Sequence, residues 1–205
     1  MKTVEIIGYK RADLGKTSSQ RLRDEGLVPC VVYGGNEQIH FYTPMILFRD
    51  LVYTNQAHFV HINIEGVELQ AILQEVQFHP VSEVILHADF LRIADDRKIK
   101  MNIPIRLTGA APGVAKGGTL IQKRSALKVS AFPKNMPDHI DIDVSHLDFH
   151  HAVKVGDVTV ENLEFLDPKQ ATIAAVEVSR AAKMAAEEAA KAPAEGDKKA
   201  KGGKK

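Results

Sequence analysis

The sequence predicts a mainly β protein of the α+β class: a small barrel or curled sheet carrying short helices, then a second β-rich unit and a basic tail. Three observations predict it. Apolar residues alternate in many short runs, Gly, Pro and Asp punctuate those runs every few residues, and no long helical pattern appears before the Ala/Lys-rich end. At 205 residues the chain has length enough for two modest domains, each able to bury a core.

Residues 2–10 alternate around Val4, Ile6 and Ile7, as an opening strand does. Gly15 breaks that pattern, Thr17 or Ser18 is placed to cap a short helix reaching about Glu25, and Gly26 is placed to end it in a left-handed conformation. A strand is expected over Val28–Tyr33, a tight turn at Gly34-Gly35-Asn36, and another strand over Ile39–Tyr42. Thr43-Pro44 then opens a second helix with Leu47, Leu51 and Val52 on its apolar face. Phe59–Ile64 and Val67–Phe78 read as a hairpin about Glu65-Gly66, and Ile85–Ile93 completes the unit.

A boundary falls near Ala94-Asp95-Asp96, which gives domains at 1–94 and 95–179 and a tail at 180–205. In the second domain Ile99–Leu107 opens a β-rich run, Gly109–Gly118 is a glycine-rich loop, and strands follow around Leu120–Phe132, Ile140–Val144 and Ile173–Val178. The last dozen residues have no apolar anchor and are expected to be disordered.

Composition narrows the function. No apolar run approaches the roughly 20 residues that span a bilayer, and the opening MKTVEIIGYKR reads as a strand, not a signal peptide. Cys30, the only cysteine, sits in the apolar run Val28–Val32, as a buried free thiol does; these features point to the cytoplasm. Net charge is +1, yet unevenly spread: eight basic residues oppose eleven acidic ones over 1–94, eleven oppose eleven over 95–179, and eight oppose four over 180–205. Nucleic-acid contact must therefore be local, and one stretch suits it: Lys10, Arg11, Lys16, Arg21 and Arg23 are opposed there only by Asp13.

Three chemical readings fail on spacing. Gly15-Lys16-Thr17 invites a phosphate loop, but Lys10 stands where that loop needs glycine. His58 and His61, three apart on a strand, point to opposite faces and cannot chelate together, so no metal and no cofactor is expected. Ser18 or Ser19 with His87 and Asp89 lacks a nucleophile turn, so the chain does not read as an enzyme. His87 and Asp89 do share a strand face at i, i+2. The residues by themselves describe a small β-rich binding protein with a basic loop and helix, or a merely solvated helix face.

A series of motifs in order resembles a known family. These are Lys10–Lys16, Ser19–Arg23, Gly26-Leu27-Val28-Pro29 with Val31–Gly35, Val76–Pro80 and Leu86–Phe90, then Gly113–Leu120, Asn135-Met136-Pro137 and Ile142–Ser145. They resemble the bacterial 5S-rRNA-binding ribosomal proteins, in the long two-domain form called the CTC or general stress protein family. The resemblance implies an N-terminal β-barrel with two or three short helices, similar also to the anticodon-binding barrel of glutaminyl-tRNA synthetase, followed by a second β-rich domain. It implies a structural protein of the large ribosomal subunit, with 5S rRNA as partner and other large-subunit proteins as neighbours. By match to the family, RNA contacts are expected at Arg11, Arg21, Tyr33, His87 and Asp89, with Lys16, Ser19, Arg23 and Gln77 as additions. Gln20 departs from members that carry arginine there, and the Lys-rich end departs from the acidic tails of some relatives. The competing expectation is a stress-related protein–protein adaptor whose RNA binding is secondary.

Overall fold

The computed structural model describes residues 1–178 except Asn36, His150 and Glu161; the expected tail lies outside the described residues. Six strands close a barrel: β1 (Lys2–Lys10), β2 (Leu27–Tyr33), β3 (Ile39–Pro44), β4 (His58–Ile64), β5 (Val67–Phe78) and β6 (Ile85–Arg92), in spatial order β1-β3-β2-β6-β5-β4. Antiparallel neighbours alternate with two parallel seams. Lys2 through Gly8 of β1 run beside His58 through Ile64 of β4, and Cys30 through Tyr33 of β2 run beside Ala88 through Leu91 of β6. Closure leaves no free strand edge.

Alternation fills the interior with Ile6, Val28, Cys30, Val32, Phe41, Val60, Ile62, Ala88 and Phe90, all buried. The rings of Phe41 and Phe48 flank that of Phe90, with centroids 5.8 and 6.2 Å away. Cys30 is fully buried, and burial pushes its thiol well above the ordinary range. A neutral, inaccessible thiol is an inert core residue.

Two helical segments decorate the barrel. Helix α1 (Lys16–Asp24) packs against β2 and buries Leu22. Its N-cap is Gly15 and no side chain caps it, which corrects the expectation of Thr17 or Ser18. The hydroxyls look backward instead: Ser18 donates to the Asp13 carbonyl and Ser19 to the Gly15 carbonyl, at 3.3 and 2.7 Å. Gly26 ends the helix with φ at 76°, as its missing Cβ allows. After β3, Pro44 closes the strand, and the second helix begins as a 3-10 turn (Met45–Phe48) before one α turn, α2 (Arg49–Val52).

Beyond the barrel, strands fall around Leu120–Phe132, Ile140–Val144 and Ile173–Val178 as expected, and they divide between two separate sheets. One has the order β10-β7-β9-β12, from β7 (Ile99–Thr108), β9 (Ala126–Ala131), β10 (Ile140–Asp143) and β12 (Glu164–Phe165). The other has the order β11-β13-β8, from β8 (Gly118–Gln122), β11 (Ala152–Lys154) and β13 (Thr172–Val178). The glycine-rich stretch before β8 contains one α turn, α3 (Pro112–Ala115), opened by proline. By contacts the chain forms two units. The first is Met1–Arg106 with Ala126–Ile140 and Val160–Asp167; the second is Leu107–Ser125, Asp141–Thr159 and the chain from Pro168.

Candidate nucleic-acid interface

The sequence-predicted residues gather on the outer wall of the barrel, on α1 and on the three strands β2, β6 and β5. Register explains the gathering. His87 and Asp89 alternate outward on β6, where Gln77 of β5 faces His87 and Glu75 faces Asp89. On the other side Val31 of β2 faces Asp89, and Tyr33 faces Leu91.

A bulge in β5 makes this possible. Leu73 pairs with Phe90 but Glu75 pairs with Asp89, so Gln74 is an extra residue. Before it the odd positions Leu69, Ala71 and Leu73 point inward; after it Val76 does. Without the extra residue Glu75 and Gln77 would point into the core, because a shift of one residue flips a strand's faces.

His87 Nδ1 donates to Asp89 Oδ1 at 2.7 Å, and both side chains are 29% exposed. That bond fixes the tautomer and leaves Nε2 as the ring nitrogen that RNA can use. Tyr33 stands beside two carboxylates. Partial burial first, then the charges of Asp89 and Glu75, raise its hydroxyl above the ordinary tyrosine range, so it stays a donor. This wall is acidic and polar, hence it repels phosphate and suits hydroxyl or amino donors. Glu75 was missed in the sequence reading, although it shares a face with Gln77 just as His87 does with Asp89.

The cations lie on α1 and its leading loop. Arg11 is clamped: its Nη2 donates to the Asp13 carbonyl at 3.2 Å and to Ser19 Oγ at 3.0 Å, and its Nε is buried without a protein partner. Ser19 therefore joins loop to helix. Arg23 donates from Nε to the Leu86 carbonyl on β6 at 2.9 Å, which ties α1 across β2 to β6. Lys16 is exposed, and Arg21, 73% exposed, makes only a loose ion pair of 3.8 Å with Glu25. So the structure brings Lys16, Ser19 and Arg23 to one flank of the helix and Arg21 to the other.

Among the described residues, no three His, Cys, Asp or Glu converge as metal ligands do. No described helix is long and apolar enough to cross a membrane.

A closed barrel carries a basic helix laid beside a polar, hydrogen-bonded strand wall. Comparison with known proteins gives the class. Residues 6–90 match the Ribosomal L25p family, and residues 98–180 match the C-terminal domain of ribosomal protein TL5. A protein named large ribosomal subunit protein bL25 from Amoebophilus asiaticus is 53% identical over 189 residues, covering 92% of this chain and 96% of its own length. Proteins of the same name from Cytophaga hutchinsonii and Bacteroides fragilis are 50% and 41% identical, covering 94% and 93% of this chain and 99% and 100% of theirs. The chain belongs to the bL25 family of bacterial large-subunit ribosomal proteins. It is thus a structural component of the large subunit and not an enzyme, and it works in the cytoplasm as part of the ribosome.

Proposed function

We propose that within the large subunit this protein binds 5S rRNA through the outer wall of its N-terminal barrel. Lys16 and Arg21 neutralise backbone phosphates and release counterions. Arg11, Ser19 and Arg23 also hold the loop and helix that present them, through their bonds to the Asp13, Gly15 and Leu86 carbonyls. Tyr33, Gln77, His87 and Asp89 read sugar hydroxyls and base edges across a shallow minor groove, the face that folded RNA offers to side chains. Residues 1–94 carry this binding, and residues 95–179 meet neighbouring large-subunit proteins.

One observation carries the reading: the 2.7 Å His87–Asp89 bond on an outward face, with Glu75 next to it. A surface that needed only solvent would gain little from aligning two carboxylates. Facing 2′-hydroxyls and amino groups, those carboxylates find donors that DNA phosphate or a plain charged surface lacks.

The test is binding of the full chain to purified 5S rRNA over a salt series, against transfer RNA. The full chain is needed because Ala126–Ile140 and Val160–Asp167 belong to the same compact unit as the barrel. Selective binding with a steep salt slope is expected. Arg21→Ala weakens it and lowers the slope by about one, whereas Asp89→Ala weakens it with the slope unchanged. Equal affinity for transfer RNA defeats the proposal.

A further inference from the structure

On the barrel wall beyond α1 a second feature faces solvent. Tyr9 of β1 and Tyr42 of β3 are partners in register, and their rings stack with centroids 5.6 Å apart and planes 28° apart. Tyr9 is 48% exposed. Tyr42 is half-buried, with Pro29 of β2 as its other neighbour in register. Cross-strand aromatic pairs stabilise sheets, and this one leaves about half of Tyr9 in solvent.

Its position follows from the helix. α1 lies on β2, with Leu22 buried beneath it. Arg23 leans to the β6 flank, where it reaches the Leu86 carbonyl. Successive residues turn about 100°, so Arg21 lies about 200° around from Arg23, on the helix flank away from β6. The neighbour of β2 on the side away from β6 is β3. That is the strand that carries Tyr42. The Arg11 backbone leaves beside the same strand, its N–H donating to the His40 carbonyl at 3.0 Å, while its guanidinium turns to Asp13 and Ser19.

We propose that Tyr9 and Tyr42 form a stacking platform for an unpaired base of the bound RNA, beside the phosphate held by Arg21. The inference rests on the 5S rRNA reading and extends it to a second flank of α1. An exposed aromatic ring near a cation is an arrangement by which proteins hold splayed bases of folded RNA. Glu5, Asp13, Glu25 and Glu65 are carboxylates near this flank in chain or register. Stacking is indifferent to them, because it needs a π face and not a charge.

The experiment uses the full chain and purified 5S rRNA at fixed salt. Tyr9→Ala is expected to weaken binding about tenfold or more, the usual cost of deleting one base-stacking ring, without altering the salt slope. Tyr9→Phe keeps the ring and should bind as the parent does. Tyr9→Leu keeps apolar cover on the sheet and should weaken binding like Tyr9→Ala; it decides the matter if the alanine variant does not fold. With four tyrosines and no tryptophan, quenching of tyrosine emission on binding should diminish in Tyr9→Phe. Unchanged affinity in Tyr9→Ala and Tyr9→Leu overturns the platform and leaves 5S binding intact. Weakening in Tyr9→Phe equal to that in Tyr9→Ala replaces stacking by a hydroxyl contact and also overturns it. No selective binding by the parent protein overturns both readings.

Discussion

Gly8→Ala should destabilise the barrel through one ring. Gly8 points inward from β1, and a Cβ placed there would fall inside the contact shell of Phe41 Cδ2 and 3.1 Å from Cε2. To restore an ordinary carbon–carbon contact of about 3.5 Å the ring must retreat by about 1 Å. It has nowhere to go, being fully buried with the Phe90 ring 5.8 Å away and Phe48 beyond that. Overpacking of this kind costs about 1–3 kcal/mol, offset by a few tenths from the lower chain entropy of alanine, so about 2 kcal/mol remains. Cys30, the only cysteine, sits opposite Phe41 in register and is fully buried. Its labelling by a thiol reagent therefore reports opening of the barrel itself, whatever the second unit does. A loss of 2 kcal/mol should speed that labelling roughly thirtyfold. Phe41→Leu combined with Gly8→Ala should then cost less than the two separately, by at least about 0.5 kcal/mol. Labelling at the parent rate in Gly8→Ala, or strict additivity in the double variant, refutes the reasoning.

Arg23→Met keeps the stem but removes the Nε–Leu86 bond; α1 amides should exchange faster and stability fall by about 1–2 kcal/mol, and unchanged exchange would show that the bond does not anchor the helix. Asp89→Asn should move the Tyr33 hydroxyl part of the way back to the ordinary tyrosine range, seen by ultraviolet titration, because burial, the larger cause, stays. A raised folded-state pKa means that Tyr33 stabilises below the unfolded value near pH 10 and loses that contribution as pH rises through its own. In the second unit the ion pair to Lys116 and the Phe149 N–H hold Asp148 below the ordinary carboxylate range. Its contribution is present above the unfolded value of about pH 4 and lost as pH falls further, so Asp148→Asn should flatten the acid limb of a denaturation curve.

Much of this was legible where the signal is local. Glu65-Gly66 was read as a hairpin turn, and both residues adopt positive φ, 50° and 92°, as a two-residue turn of that hand requires. Gly26 and the i, i+2 pair His87 and Asp89 were legible for the same reason. Pairing across distance was not. Nothing near Tyr9 announces Tyr42, since only the β1–β3 register joins them, and nothing in residues 67–78 marks Gln74 as the extra residue that turns Glu75 outward. The cap of α1 was misread because its hydroxyls satisfy carbonyls behind them, an alternative that Ser always has open.

The two parallel seams have a consequence for synthesis. Parallel neighbours cannot be joined by a tight turn, so β1 waits for β4, and β2 for β6, before either seam can form. On a growing chain the strands that carry Cys30 and Tyr33 emerge long before the strand that carries His87 and Asp89. The RNA-facing wall is complete only once β6 joins β2, and long-range closure of this kind is slow. A nascent chain should therefore lack the complete RNA-facing wall until residue 92 has left the exit tunnel. The topology times recognition to completion of the barrel.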